Sequence, residues 1–84
     1  MYMRRCLELA EIAARAGDTA VGALIVCGYE VVAEGVERTR ATLDPSAHAE
    51  VEAIRQACQH LETLDLRGCS LYSTVEPCVP AATR

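Results

Sequence analysis

The sequence has no long hydrophobic run and no cluster of basic residues. Nothing in it approaches ~18 consecutive apolar residues, so no transmembrane helix is predicted. The N-terminal stretch MYMRRCLELAEIAARAG is broken by charged side chains, which indicates an amphipathic helix and not a signal peptide. Nucleic-acid binders usually carry a basic patch, whereas this chain has no run of Lys or Arg and a net charge of −4. These absences favour small neutral or cationic substrates over long polyanions.

The cysteines lack the pattern of a disulfide framework, because their number is odd and their spacing is irregular. They are Cys6, Cys27, Cys58, Cys69 and Cys78. We therefore expect a reducing, cytoplasmic location in which most of the thiols act as small apolar side chains. With 84 residues, 51% of them hydrophobic and 24% charged, the chain is predicted to be a single folded domain covering residues 1–84.

Hydrophobic periodicity and turn residues predict the order α-β-β-α-β-α. The predicted elements are a helix at 3–16, strands at 19–28 and 30–37, a helix at 44–60, a strand at 69–75 and a final helix from 76 onwards. Gly28 and Tyr29 form the turn of an antiparallel hairpin. A strand–helix–strand unit implies a parallel pair joined by a right-handed crossover. We therefore expect an α/β fold with a mixed sheet, in which the third strand is parallel to the first.

The stretch SAHAEVEAI places two chemically active side chains at the start of the second long helix. His48 lies in its first turn, and Glu50 is four residues before Ile54, on the side expected to be buried. A carboxylate directed into a core is costly unless it is paired or used. Glu50 is therefore either functional or bonded to a backbone amide or an arginine. His48 alone is more often a polar helix-end residue than a metal ligand.

Cys78, in STVEPC, follows the third predicted strand at the start of another helix. Open α/β sheets bind ligands beyond the carboxyl ends of their strands. The positive ends of two helix dipoles would favour a thiolate and a metal-bound hydroxide there. A zinc ion held by one His and two Cys, with water as the fourth ligand, is a hydrolytic site. The structural alternative for Cys78 is a buried thiol beside Pro77.

Three segments together resemble the zinc-dependent cytidine and deoxycytidylate deaminase superfamily, in its nucleoside, guanine and tRNA-adenosine deaminase branch. They are AVGALIV, DPSAHAEVEAIRQAC and LRGCSLYSTVEPC, and the last two carry the H-x-E and P-C parts of the H-x-E…P-C-x-x-C signature. The resemblance implies a three-layer α-β-α fold of which residues 1–84 are the N-terminal part. It also implies a hydrolytic deaminase of a nucleobase or nucleoside, and assembly as a homodimer or higher oligomer. A tRNA substrate and a membrane partner are not favoured.

The resemblance assigns zinc ligation to His48 and Cys78 and proton transfer to Glu50. Two positions differ from the family pattern, because Ala81 replaces the second cysteine of the motif and Glu37 replaces the asparagine that usually holds the base. An alanine cannot bind zinc, so occupancy of the metal site and activity of this chain are both in question. The alternatives are an inactive deaminase-like fragment that serves as a binding or oligomerising subunit, and an ordinary α/β domain in which these residues are structural.

Overall fold

A computed structural model describes residues 2–75 and 79–81 of the chain. The helices are α1 (Tyr2–Arg15), α2 (Thr39–Thr42) and α3 (Ala49–Leu61), and the strands are β1 (Gly22–Cys27), β2 (Glu30–Val36), β3 (Cys69–Ser73) and β4 (Val79–Pro80). The strands form one sheet in the order β2-β1-β3-β4. In the described part of the chain, no helix has the length and apolar character needed to cross a membrane.

The sheet lies between α1 and α3, as the three-layer prediction requires. Successive side chains of a strand point to opposite faces, so Leu24 and Val26 pack against α1, while Ala23 and Ile25 pack on the face of α3. Strand β1 is therefore buried on both faces, which explains its almost continuous apolar sequence GALIVC.

Two glycines allow the helices to approach the sheet closely. A Cβ atom at Gly22 would lie 2.6 Å from the Cβ of Leu9 on α1, and one at Gly35 would lie 2.7 Å from the backbone nitrogen of Ala53 on α3. The facing side of α3 consists of small side chains at four-residue spacing, which are Ala49, Ala53 and Ala57. Val51 and Leu61, which the periodicity predicts on the apolar stripe of this helix, are exposed instead.

The direction of the third strand contradicts the predicted mixed sheet. Strand β1 pairs antiparallel with β2 on one side and antiparallel with β3 on the other. Strands β2 and β3 therefore run in the same direction, as a strand–helix–strand unit requires, but β1 separates them. The third strand is antiparallel to the first, not parallel.

The segment after β3 also differs from the prediction. Val79 and Pro80 form a short strand that pairs antiparallel with Leu71 and Ser70, instead of the first turn of a final helix. Residues 76–78 lie outside the described residues. The outer edge of β3 is therefore covered at Ser70 and Leu71 and is not entirely unpaired.

An ion pair fastens α1 to the sheet. The guanidinium of Arg5 donates from Nε to Oε2 of Glu34 (2.7 Å) and from Nη2 to Oε1 (2.9 Å). This bidentate contact holds the pKa of the Glu34 carboxyl below its usual value. Both side chains are partly exposed, so solvent screening limits what the pair contributes to stability.

A disulfide joins Cys27 to Cys69, against the expectation of free thiols. These residues are direct partners across β1 and β3, with Cα atoms 4.2 Å apart. Among the described cysteines, Cys6 and Cys58 are free. The bond lies at the end of the sheet away from Ser73, because Ser73 is paired with Ala23 near the opposite end of β1.

Candidate functional site

His48 is the residue that caps the N-terminus of α3. Its backbone is extended (φ −74°, ψ 152°), and Ala49 begins the helix. The imidazole Nδ1 lies 2.8 Å from Oε2 of Glu37, which directly follows β2. The His48 side chain is 55% exposed, whereas that of Glu37 is 8% exposed. The end of β2 and the start of α3 therefore meet through a buried carboxylate and a largely exposed imidazole.

Glu37 also binds the backbone of α3. Its Oε1 accepts a hydrogen bond of 2.8 Å from the N–H of Ala49, a donor that the helix itself leaves unsatisfied. The positive end of the helix dipole favours a carboxylate at this place. The resemblance puts Glu37 where the family holds the base, but here each of its oxygens already has a partner.

Glu50 lies in the first turn of α3 and reaches the end of β3. Its Oε2 accepts a hydrogen bond of 3.2 Å from the Oγ of Ser73, the last residue of that strand. The same Oγ accepts a bond of 3.0 Å from the N–H of Val75. Ser73 is fully buried and lies on the face of the sheet that α3 covers, two residues beyond Leu71. The described partner of Glu50 is thus a serine hydroxyl, and neither an arginine nor a backbone amide.

The candidate site is the edge of the sheet where β2 and β3 end and β1 begins. Gly22, the first residue of β1, bonds to Thr74 in both directions: its N–H donates to Oγ1 (3.3 Å) and its carbonyl accepts from the N–H (3.1 Å). His48 and Glu50, two of the three predicted site residues, belong to this edge. The third, Cys78, lies outside the described residues.

Ala81, at the position of the motif's second cysteine, lies in the protein core. It is buried in the core cluster with Leu66 and Cys69, and it lines a cavity of about 370 Å³ beside Ile54 and Cys58. Cys58 is ten residues along the chain from His48, which corresponds to about 15 Å of helix. The position where the family motif has its second cysteine is therefore a buried core position that offers no donor atom.

The described residues do not form a zinc site. Across residues 2–75 and 79–81, no three His, Cys, Asp or Glu side chains are grouped so that they could hold a metal ion. His48 supplies one imidazole nitrogen, Ala81 supplies no donor, and Cys27 and Cys69 are joined to each other. The donor set that a catalytic zinc requires, three protein ligands and an open position, is not assembled by these residues.

A second cavity of about 310 Å³ lies behind Glu37. Its lining is mostly apolar and includes Val36, Ala13 and also Asp18. Asp18 is buried and accepts hydrogen bonds from the backbone N–H groups of Arg40 (2.7 Å) and Ala41 (3.2 Å), so it fixes the start of α2. This carboxylate is committed to the fold and is not free for a ligand.

Sequence reasoning missed the roles of Glu37 and Ser73 as partners of His48 and Glu50. The position of Ser73 had a signal, because a strand of period two places it on the same face as Cys69 and Leu71. Glu37 had a weaker signal: an acidic residue needs a partner if the chain buries it directly after a strand. Nothing in the local pattern identified that partner, which is eleven residues away at the start of the next long helix.

The family model for the cytidine and deoxycytidylate deaminase zinc-binding region matches residues 1–81. Among curated proteins, the chain is 40% identical over 78 residues to a tRNA-specific adenosine deaminase of Aquifex aeolicus, covering 93% of this chain and 52% of that protein. It is 41% identical over 78 residues to a guanine deaminase of Bacillus subtilis, covering 92% and 50% respectively. The chain therefore spans about half the length of these relatives.

Solved structures of deaminases also match this chain. The crystal structure of guanine deaminase from Bacillus subtilis matches with a TM-score of 0.82 and 39% identity, over 87% of this chain and 47% of that one. A structure from a study of A-to-I editing by tRNA:A34 deaminases at the wobble position of transfer RNA matches with a TM-score of 0.84 and 37% identity, over 87% and 56%. The fold and the sequence thus point to the same family.

Proposed function

Because the chain belongs to the cytidine and deoxycytidylate deaminase zinc-binding family, we propose that it works as a hydrolytic deaminase of a nucleobase or nucleoside. In this reaction water replaces the amino group of a ring carbon, a carbonyl forms and ammonia leaves. The observation that best supports the proposal is the position of Glu50, held by Ser73 at the sheet edge to which His48 also belongs. Named relatives are a guanine deaminase and a tRNA-specific adenosine deaminase, so aminated purines are the first substrates to test.

Glu50 is the group that we assign to proton transfer. Its carboxylate would take a proton from the attacking water and deliver protons to the ring nitrogen and to the departing amine. The hydroxyl of Ser73 keeps one carboxylate oxygen in place and leaves the other for this exchange. Zinc, the cofactor of the family, acts as a Lewis acid on water where it is bound.

Replacing Glu50 with Gln is expected to reduce ammonia release about 100-fold or more, because the amide has the same shape but cannot carry the proton. The assay measures ammonia from guanine, adenosine, cytidine and a tRNA anticodon stem-loop. The net charge of −4 makes guanine and the free nucleosides better candidates than the RNA.

Glu52→Gln is the matched control for this experiment. Glu52 also lies in the first turn of α3, but its carboxylate is ion-paired with Arg55. The control variant should retain the activity of the unmodified chain. Equal activity of the Glu50→Gln variant and the unmodified chain would contradict the role of Glu50. Ammonia release from none of the four compounds would count against the catalytic proposal as a whole.

The position of Ala81 favours a second candidate function. A chain whose described residues do not assemble a zinc donor set fits a deaminase-like subunit that binds a partner chain without catalysis. The two candidates differ in zinc content and in assembly. The catalytic proposal expects about one zinc ion per chain after dialysis, whereas the second candidate expects almost none, together with a dimer or a larger assembly by light scattering.

Replacing Ala81 with Cys is expected to leave the zinc content per chain unchanged. The new thiol would lie in the core beside Leu66 and Cys58, where the described residues form no group that could hold a metal ion. Elemental analysis after dialysis measures this, with Ala81→Ser as a control of similar size and weaker metal affinity. A gain of about one zinc ion in the cysteine variant alone would show that residue 81 reaches the site in solution.

A further inference from the structure

Strand β3 depends on β1 for its position in the sheet. All five of its residues pair with β1, from Cys69 opposite Cys27 to Ser73 opposite Ala23. On its other side, β3 pairs with β4 at two residues only. Helix α3 packs mainly on β1 and β2 and contacts β3 much less. Among the described residues, the pairing with β1 is therefore the main restraint on β3.

The two ends of this pairing are held by different kinds of bond. At the end of β3, hydrogen bonds join Thr74 to Gly22, and the hydroxyl of Ser73 donates to Glu50. At the start of β3, the Cα atoms of the Cys27–Cys69 pair are 4.2 Å apart, a separation typical of strand partners that exchange no backbone hydrogen bonds. The disulfide is thus the link between β1 and β3 at this pair.

The segment that leads into β3 adds little to hold its start. Residues 62–68 connect α3 to β3, and among them only Leu66 is buried. Leu64 is 95% exposed, and Asp65 accepts its hydrogen bonds from Arg67 within the same segment. Through this connection only the side chain of Leu66 anchors the start of β3, which increases the importance of the disulfide.

The two sulfur atoms of the disulfide differ in their access to solvent. Cys27 is partly exposed at the end of β1, whereas Cys69 is only 8% exposed. A thiolate from solution can therefore attack the sulfur of Cys27, and the Cys69 sulfur leaves as a thiolate. With a dithiol reductant, the second thiol attacks the mixed disulfide and releases Cys27. The protein gains two electrons and two protons, which the dithiol loses on becoming a disulfide.

We propose that the Cys27–Cys69 disulfide is a redox-sensitive tether that fixes β3 against β1. In the oxidised chain, the tether keeps β3 in register and Ser73 beside Glu50. After reduction, β3 opens away from β1 while the β1–β2 hairpin and α3 stay folded, because these elements pack on each other. The opening separates Ser73 from Glu50. Its effect on ammonia release rests on the proposed function, whereas the opening itself is measurable without it.

Amide hydrogen exchange of the ¹⁵N-labelled chain, with and without excess dithiothreitol, tests the proposal. The N–H of Thr74 donates to the carbonyl of Gly22 on β1. Hydrogen-bonded and non-hydrogen-bonded pairs alternate along an antiparallel ladder, so the N–H groups of Ser70 and Tyr72 also point to β1. These two amides are the probes, because their protection from exchange is lost when β3 leaves β1.

The reference amides are those of Ala53 and Ala57, which are fully buried in α3. In the oxidised chain, the probes and the references should be protected to a similar degree. In the reduced chain, we expect the protection of the probes to be about tenfold or more below that of the references, because β3 then opens without the rest of the domain. Reoxidation should restore the original pattern.

Two variants control for other effects of the reductant. Cys27→Ala/Cys69→Ala should show the pattern of the reduced chain with and without dithiothreitol. Cys58→Ala lacks only a free thiol and should respond like the unmodified chain. If the double variant does not fold, the reduced unmodified chain decides the question.

Two results would overturn the proposal. Equal loss of protection at the probes and the references, including complete unfolding of the reduced chain, would show that the disulfide stabilises the domain as a whole. Unchanged protection of β3 after reduction would show that it does not tether the strand. Neither result involves ammonia release, so a failed deaminase assay would contradict the proposed function and not the tether.

Discussion

Reduction of the Cys27–Cys69 disulfide is expected to lower the melting temperature of the chain by more than about 10 °C. The bond closes a loop with a sequence separation of 42 residues, and cross-links of this span stabilise a domain by about 4 kcal/mol through the entropy of the unfolded chain. For a domain of this size, each kcal/mol corresponds to about 4–8 °C. Chains of this length without a cross-link are only marginally stable, so reduction would remove much of the total free energy of unfolding.

The experiment compares thermal unfolding with and without a thiol reductant. The double variant Cys27→Ala/Cys69→Ala should melt at the temperature of the reduced chain and should not respond to the reductant. Cys58→Ala removes a free thiol and should retain the full response. Alkylation under denaturing conditions should attach two fewer groups before reduction than after it. Equal alkylation before and after reduction would show that the two cysteines are not joined, and the expected shift would then vanish.

The disulfide would make the stability of the chain depend on whether its surroundings are oxidising or reducing. The irregular cysteine spacing suggested reduced thiols in the cytoplasm, and disulfides are rare in such a compartment. The pairing could not be inferred from the sequence, because it depends on the register of β1 against β3, two strands separated by α3. Once that register is known, Cys27 and Cys69 are direct partners at the end of both strands.

The parts of the fold that the sequence predicted correctly depend on local signals. The apolar run of β1, the Gly28 turn and the antiparallel pairing with β2 are all determined within fifteen residues. The predicted direction of β3 relative to β1 was wrong. The strand–helix–strand rule applies to β2 and β3, and the sequence does not show that β1 lies between them. Long-range neighbours in a sheet are not encoded in any short segment.

The start of α3 shows why a capping pattern can mislead. Asp44 and Ser46 have the side chains of a helix cap, but Asp44 accepts hydrogen bonds from the N–H (2.9 Å) and the hydroxyl (2.7 Å) of Ser46. These residues form a local turn, and the helix begins five residues later at Ala49. The sequence thus identified His48 and Glu50 as site residues and placed them close to the helix start. It did not identify Glu37 and Ser73 as their hydrogen-bond partners, because Glu37 follows β2 and Ser73 ends β3, both far from α3 in the sequence.

Replacing Gly35 with Ala is expected to destabilise the chain by about 3 kcal/mol or more, because the added methyl group would overlap the backbone of α3. The new Cβ would lie 2.7 Å from the nitrogen of Ala53 and 3.1 Å from its Cβ, and would also overlap the carbonyl oxygen of Ala49. Backbone atoms of a helix cannot move aside one at a time, so the whole of α3 would have to shift away from β2. Chemical denaturation measures the loss of free energy.

Gly28→Ala is the control, since nothing lies within 4 Å of a Cβ atom there and only the positive φ of 66° opposes the change. It should cost about 1 kcal/mol, the usual penalty for a left-handed backbone. Similar losses at both glycines would contradict the close approach of α3. If Gly35→Ala remains folded at low temperature, the displaced helix should also carry Glu50 away from Ser73 and His48 away from Glu37. The packing of Gly35 against α3 is thus what brings both pairs of side chains together at this edge of the sheet.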